Sequence, residues 1–269
     1  MSAFAQLARV FLLVALCCGV AYADMYPSQV VVAAANIPDA GLAPENKAGD
    51  VAVSSLGVVK PDLGKYDPDK LEPAEPFGLP FSAALPADMT AKWQELQIRI
   101  LADEKVIAAC RADESACSQA ARRFLSIVDF GREHEGRARL GLVNRAVNLT
   151  IRPVSDLEQY GYPDFWASPL QTLGSRAGDC EDYAIVKYVA LHEMGFDTSN
   201  LRFVIVRDTA RQTDHAVVAV RDGQGWLILD NRTMFILDAK DVRQYQPLFS
   251  LDQQSVRAFA SAADRITDR

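Results

Sequence analysis

The run Arg176-Ala177-Gly178-Asp179-Cys180-Glu181-Asp182-Tyr183 decides how this chain folds and where its chemistry sits. Apolar residues then recur at Ala184, Ile185, Tyr188, Val189 and Leu191, the spacing of one face of a helix. Asp179 is the expected N-cap and Met194-Gly195 the expected stop, which makes Cys180 the first helical residue. A thiol at a helix N-terminus is favoured as thiolate, its reactive form, by the unpaired N–H groups and the macrodipole there. The Cys180 N–H is also placed to face a developing oxyanion.

An activated cysteine needs a base, and the base needs a group to orient it. The chain offers three histidines. His192 lies on the Cys180 helix itself, about 18 Å along the axis and out of reach. His134 falls in the polar run Arg132-Glu133-His134-Glu135-Gly136, a solvated helix start. His215 opens the strand Ala216-Val217-Val218-Ala219-Val220, a turn follows at Asp222-Gly223-Gln224-Gly225, and Asp230 closes the strand Trp226-Leu227-Ile228-Leu229-Asp230. Antiparallel strands bring the beginning of one beside the end of the next. His215 and Asp230 are therefore expected as cross-strand neighbours, an imidazole held by a carboxylate. The competing reading is a hairpin that merely begins with His and ends with Asp, and the presence of Cys180 weighs against it.

Asp179, Glu181 and Asp182 flank the nucleophile, and their repulsion would raise the thiol pKa and oppose catalysis. Acidic residues in a first turn also simply stabilise a helix. The alternative is a hard divalent cation, Ca2+ before others, bound by these carboxylates with nearby loop carbonyls. It would order the loop and offset the charge. Zinc fits less well, since its His and Cys ligands would have to be the catalytic residues.

The first residues set the compartment. Arg9 precedes the apolar run Val10 to Val20, and Ala21-Tyr22-Ala23 forms an A-x-A cleavage site before Asp24, so residues 1–23 read as a secretory signal peptide. The run is too short to span a bilayer and no later stretch approaches the ~20 apolar residues required; an exported periplasmic protein with no stable membrane insertion is expected. Leu16 before Cys17, and Cys17 before Cys18, lack the small residue that precedes a lipid-modified cysteine. Loss of Arg9 makes the formal charge of −7 one unit more negative. That acidity argues against a sequence-independent nucleic-acid or anionic-membrane surface.

Cys110, Cys117 and Cys180 remain, an odd number in an oxidising compartment. On one straight helix Cys110 and Cys117 would lie about 10 Å apart, too far to bridge. If Asp113-Glu114-Ser115 turns the chain they can close a disulfide; otherwise they are two separately buried thiols.

Residues 24–85, rich in Ala, Pro, Gly and Asp, read as a flexible leader with one short strand at Gln29 to Ala33. Helices are marked by Trp93, Leu96, Ile100 and Ile107, by Ala120, Phe124, Leu125 and Val128, and by the run Glu135 to Val147. Asn148-Leu149-Thr150 matches a glycosylation sequon, taken as chance at a helix end. An aromatic loop from Leu157 to Pro169 leads to the Cys180 helix, and strands follow at Arg202 to Arg207, His215 to Arg221, Trp226 to Asp230 and Arg232 to Leu237. A helical N-terminal lobe, then a nucleophile helix packed on an antiparallel sheet, is an α+β fold spanning 86–269.

Four segments, Phe165-Trp166-Ala167-Ser168-Pro169, Gly178 to Ile185, Asp214-His215-Ala216-Val217 and Leu229-Asp230-Asn231, together resemble the bacterial transglutaminase-like cysteine peptidases, over about residues 89–240. The resemblance implies a papain/transglutaminase-like fold, with Cys180 as nucleophile, His215 as general base and acid, and Asp230 as orienting carboxylate. It implies calcium at Asp179 and Glu181, with Asp182 beside them. It further implies a large surface adhesin as substrate, cut near its N-terminus to control biofilm attachment, and an inner-membrane receptor for cyclic di-GMP that sequesters the protease. Gln171 departs from the acidic residue common in the family at that position. Two other functions use the same residues: a protein-crosslinking transglutaminase with a lysine amine as acceptor, and a non-catalytic calcium-dependent protein-binding module engaging its partner around Trp166. A peptidoglycan peptidase usually orients its base with a second histidine, where this chain has Asp230.

Overall fold

The computed structural model describes residues 75–83, 86–223 and 225–260; the expected signal peptide, the strand Gln29 to Ala33, the leader up to residue 74 and Gln224 of the hairpin turn lie outside them. A six-stranded antiparallel sheet forms the centre. In chain order its strands are β3 (Leu201–Asp208), β4 (Thr213–Arg221), β5 (Trp226–Leu229), β6 (Leu237–Asp238), β7 (Tyr245–Leu251) and β8 (Val256–Ala258). Their order across the sheet is β6-β5-β4-β3-β7-β8. The near-continuous apolar text of β3 and β4, rather than strict alternation, follows from burial on both faces. Phe203, Val218, Val220 and Leu229 pack towards the helices, while Val204, Val206, Val217 and Ile228 pack on the opposite side.

That second face is covered in part by chain ahead of the helices. Phe77 and Phe81 pack against it, and Phe81 bridges Phe259 with ring centroids 4.9 Å apart. Glu75 accepts from Arg202 Nε and Nη2 at 2.9 Å each and from Arg257 at 3.0 Å. Residues 75–83, expected as the end of a flexible leader, thus contribute to the folded unit.

Six helices precede β3: α1 (Ala87–Ala112), α2 (Gln119–Arg132), α3 (Gly136–Thr150), α4 (Asp156–Tyr160), α5 (Pro169–Ser175) and α6 (Cys180–Glu193). The two-residue strands β1 (Arg152–Pro153) and β2 (Ala177–Gly178) pair in parallel just before α6. Among the described residues no helix is long and apolar enough to cross a membrane. Helix α6 is buried on every side from Glu181 to Leu191, which explains why its apolar positions are not confined to one stripe. Trp93 of α1 stacks on Phe203 at 5.5 Å, meets Trp166 edge-on at 6.3 Å and donates from Nε1 to the Asp252 carbonyl at 2.8 Å. One indole therefore ties α1, the aromatic loop and the sheet together.

The α+β arrangement agrees with the sequence reading, and so does the turn that joins Cys110 to Cys117. Asp113 ends α1, its Oδ1 accepts the Ser115 N–H at 2.9 Å, and the two cysteines form a disulfide. Cys180 stands outside it.

One strand expectation needs correction, and two strands were not expected. Arg232 to Leu237 is mostly a turn, with only Leu237–Asp238 extended. The backbone groups a ladder would use are taken locally: Asp230 Oδ1 accepts Arg232 N–H, Thr233 Oγ1 accepts Phe235 N–H, and the Thr233 carbonyl accepts from Asn144 and Asn148 of α3. Strands β7 and β8 were not among the expected elements, and β7 contains Pro247, which cannot donate to a ladder. The register against β3 shifts between Ile205 and Val206, and Pro247 sits opposite that irregularity, where a bulge leaves an N–H unneeded.

Candidate active site

Cys180 opens α6, and Asp179 occupies the N-cap without capping through its side chain. Instead Asp179 Oδ2 accepts from Asp156 N–H at 3.4 Å, and its Oδ1 is buried with no hydrogen-bond partner. The Cys180 thiol donates to Glu181 Oε2 at 3.2 Å. Helix α6 packs on β4, the strand that carries His215.

His215 is buried, and its Nε2 lies 2.8 Å from Asp230 Oδ1. The β4–β5 pairing ends at Val218↔Leu229, so the two side chains meet just beyond the ladder rather than as direct cross-strand partners. Asp230 is bound on every side: Tyr245 donates to its Oδ2 at 2.6 Å, Arg232 N–H to its Oδ1 at 2.9 Å, and its backbone carbonyl accepts from Asn148 Nδ2 at 2.9 Å. Burial alone would raise the Asp230 pKa, but the bonds from His215, Tyr245 and Arg232 outweigh it and hold the carboxyl below its usual range. Burial lowers the His215 pKa against the opposing pull of Asp230. The imidazole is thus kept neutral at neutral pH. With Nε2–H donated to an ionised Asp230, the lone pair is on Nδ1, and this buried atom has no hydrogen-bond partner among the described residues. His134 and His192 are engaged elsewhere, Nδ1 of the first with the Phe130 carbonyl and Nε2 of the second with Gln253.

The acidic residues converge, and more of them than the run around Cys180 suggests. Ligand atoms of Asp179, Cys180 and Glu181, of Asp156, Asp179 and Asp182, and of Asp156, Asp164 and Glu181 each lie within 4.8 Å of one another. Asp182 Oδ1 accepts the Ala167 N–H at 2.9 Å, which ties the aromatic loop to α6, but its Oδ2 has no hydrogen-bond partner. Asp156 accepts the Phe165 N–H through Oδ2 and leaves Oδ1 without one. Burial, reinforced by neighbouring carboxylates, pushes Asp156 up to about 6 and raises Asp179 and Asp182 as well. Three buried carboxylate oxygens without donors, in a cluster of raised carboxyls, are oxygen donors of the kind a hard cation can take. Among the described residues the cation set against this cluster is Lys92 of α1, paired with Asp164 and 4.6 Å from the Trp166 ring centre.

Asp156 and Asp164 were not picked out from the sequence, since they lie some fifteen to twenty-five residues before Cys180 and carry no local spacing of their own. The parallel β1–β2 pairing brings α4 and the aromatic loop onto the N-terminus of α6. Gly178 makes that approach possible: a Cβ there would lie 2.7 Å from Asp182 Cβ. Gln171 accepts the Ser168 N–H at 3.0 Å and so caps α5 in place of the acidic residue expected there.

The family model for bacterial transglutaminase-like cysteine proteinases matches residues 105–260. The chain belongs to this family. As a cysteine protease of the transglutaminase-like type it acts on protein. Among solved structures, the calcium-bound LapG of Legionella pneumophila is similar at 23% identity, covering 59% of this chain and 87% of that one with a TM-score of 0.48. The EGTA-treated form of the same protein covers 60% and 86% at 23% identity with a TM-score of 0.49. No curated protein sequence matches the chain.

Proposed function

We propose that this bacterial transglutaminase-like cysteine proteinase is an exported, calcium-dependent endopeptidase with the triad Cys180, His215 and Asp230. The observation that carries the reading is the His215–Asp230 pair, bonded through Nε2 at 2.8 Å with Nδ1 left as the acceptor. His215 Nδ1 takes the proton of Cys180 Sγ, and the thiolate attacks a peptide carbonyl. The oxyanion is stabilised at the N-terminus of α6, where N–H groups and macrodipole converge. His215 returns its proton to the leaving amine, then activates the water that releases the acyl group from sulfur. Asp230 holds the imidazole in the required tautomer and stabilises the imidazolium as it forms.

Asp179, Glu181 and Asp182, completed by Asp156 and Asp164, would hold Ca2+, which supplies positive charge beside a nucleophile otherwise surrounded by carboxylates. The orphaned oxygens of Asp156, Asp179 and Asp182 support that fit. Residues 1–23 direct the chain to the periplasm. The substrate is a large surface adhesin cut near its N-terminus, and an inner-membrane receptor for cyclic di-GMP sequesters the enzyme. The test is incubation of the N-terminal region of such an adhesin from the same cell with the exported chain, in calcium and in EGTA, beside Cys180→Ala. Cutting that needs both calcium and the thiol supports the proposal; cutting by Cys180→Ala, or no cutting with calcium present, refutes it.

A further inference from the structure

Asp208, the last residue of β3, is fully buried, and a carboxylate in that position needs donors on both oxygens. Its Oδ1 accepts the N–H groups of Ala210 and Arg211 at 3.0 Å each, which fixes the turn between β3 and β4. Its Oδ2 accepts Arg232 Nη1 at 2.7 Å and Arg211 Nη1 at 3.0 Å. The Arg211 side chain is 60% exposed and that of Arg232 25%, so water screens the first pair more than the second. Arg232 is the stronger partner. In the β3–β4 register Asp208 stands opposite Thr213 and Val206 opposite His215. Residues two apart on a strand share a face, and Asp208 and His215 are therefore on the same one.

We propose that Asp208 is a positioning residue for the base: through Arg232 it latches the turn that follows Asp230 to the hairpin that carries His215. The inference rests on the reading of His215 and Asp230 as base and orienting carboxylate.

The strand ladder does not hold that pair together. Pairing of β4 with β5 ends at Val218↔Leu229, short of His215 on one strand and of Asp230 on the other. The Asp230 Oδ1 that meets His215 Nε2 at 2.8 Å also accepts the Arg232 N–H at 2.9 Å, so the direction of the carboxylate follows the backbone at Arg232. Three anchors fix this region. Tyr245 of β7 donates to Asp230 Oδ2, Asn144 and Asn148 of α3 donate to the Thr233 carbonyl, and Asp208 holds the Arg232 guanidinium. Of these, Asp208 belongs to the hairpin of His215 itself. Releasing it lets the turn shift against β4 and weakens the bond from His215 Nε2–H to Asp230, while the ladders of the sheet stay intact.

The experiment follows, by NMR, exchange with water of the His215 ring N–H and of the Val218 backbone N–H in the exported chain with calcium present. The wild type is compared with Asp208→Asn, Arg232→Met and the double variant. Asp208→Asn keeps an acceptor for the hairpin turn and removes the charge that holds Arg232; Arg232→Met leaves the hairpin bonds in place. Each single change is expected to speed ring exchange by at least about tenfold and to leave the Val218 amide within about twofold. The double variant should add little to either single one, because both break one contact. Unmoved ring exchange in either single variant overturns the proposal. Equal acceleration at Val218 overturns it as well, because the loosening would then be general to the sheet, and so do effects that multiply in the double variant. If Asp208→Asn does not fold, the ring exchange of Arg232→Met decides in the same way. Cutting of the adhesin N-terminal region separates this from the reading beneath it. An Asp230→Asn enzyme of full activity refutes the triad whatever the exchange rates are, and an inactive one with unmoved ring exchange in Asp208→Asn refutes the role of Asp208 alone.

Discussion

Acidification from pH 7.5 to pH 5 should shrink the stabilisation that this protein draws from calcium. The reason is Asp156, whose pKa is pushed from 3.8 up to about 6 by burial and neighbouring carboxylates. A carboxyl raised in the folded state opposes folding above its folded pKa, and the opposition disappears as pH falls from about 6 towards the unfolded value. Between pH 7.5 and pH 5 the metal-free protein gains about 1.4 kcal/mol from Asp156 alone. Asp179 and Asp182 are raised by the same burial and add in the same sense. His215 and Lys187 work the other way, since both are lowered by burial and the unfolded chain binds their protons more readily. They do so with or without calcium, and therefore cancel in a difference. The assay is calorimetry of protein stripped with EGTA and exchanged into chelator-free buffer, with and without added calcium, at both pH values. The calcium-induced rise in Tm should shrink by about 3–6 °C at pH 5 for a unit of this size. Parallel responses with and without calcium would show that the ion does not bind at these carboxylates and refute the reasoning.

Four further outcomes follow from the same geometry. Gly178→Ala puts a methyl group against Asp182 and should weaken calcium binding, read by isothermal titration calorimetry, by at least tenfold while the far-UV spectrum stays that of the folded chain. Tyr245→Phe removes the 2.6 Å bond to Asp230 Oδ2; stability should fall by about 1–3 kcal/mol in urea unfolding, and kcat should fall with little change in KM. Asn148→Ala removes donors to the Asp230 and Thr233 carbonyls, both at 2.9 Å, and should cost about 1–2 kcal/mol, again seen in urea unfolding. Because the Asn148 amide is committed to these carbonyls, expression in a glycosylating host should leave this sequon unmodified, as intact-mass measurement will report.

The helix that begins at Cys180 was legible because its signals are local: an acidic cap, an apolar repeat and a Met-Gly stop all fall within seventeen residues. His215 was singled out on equally local text, since of the three histidines one sits in a polar run, one on the Cys180 helix and one at the head of an apolar strand. The Cys110–Cys117 bridge needed only the recognition that Asp113-Glu114-Ser115 turns the chain. Strand β7 was not legible, because its Pro247 is tolerable only where the register against β3 is irregular, next to the unpaired Leu248. The turn after Asp230 was misread as strand for a related reason: its apolar letters are ordinary, and the groups that claim its carbonyls, Asn144 and Asn148, belong to a helix some eighty residues earlier.

The sequence by itself determined the place of Cys180 at the head of its helix, the α+β order of elements and the acidic character of the loop, because each depends on neighbours along the chain. Only the tertiary structure decided which further residues join the site. Asp156 and Asp164 reach Glu181 through the pairing of β1 with β2, and Asp230 meets His215 just beyond the end of the β4–β5 ladder. Electrostatic interaction depends on distance in space and on the exclusion of water. Both are set only when α6 is enclosed by the sheet and the other helices.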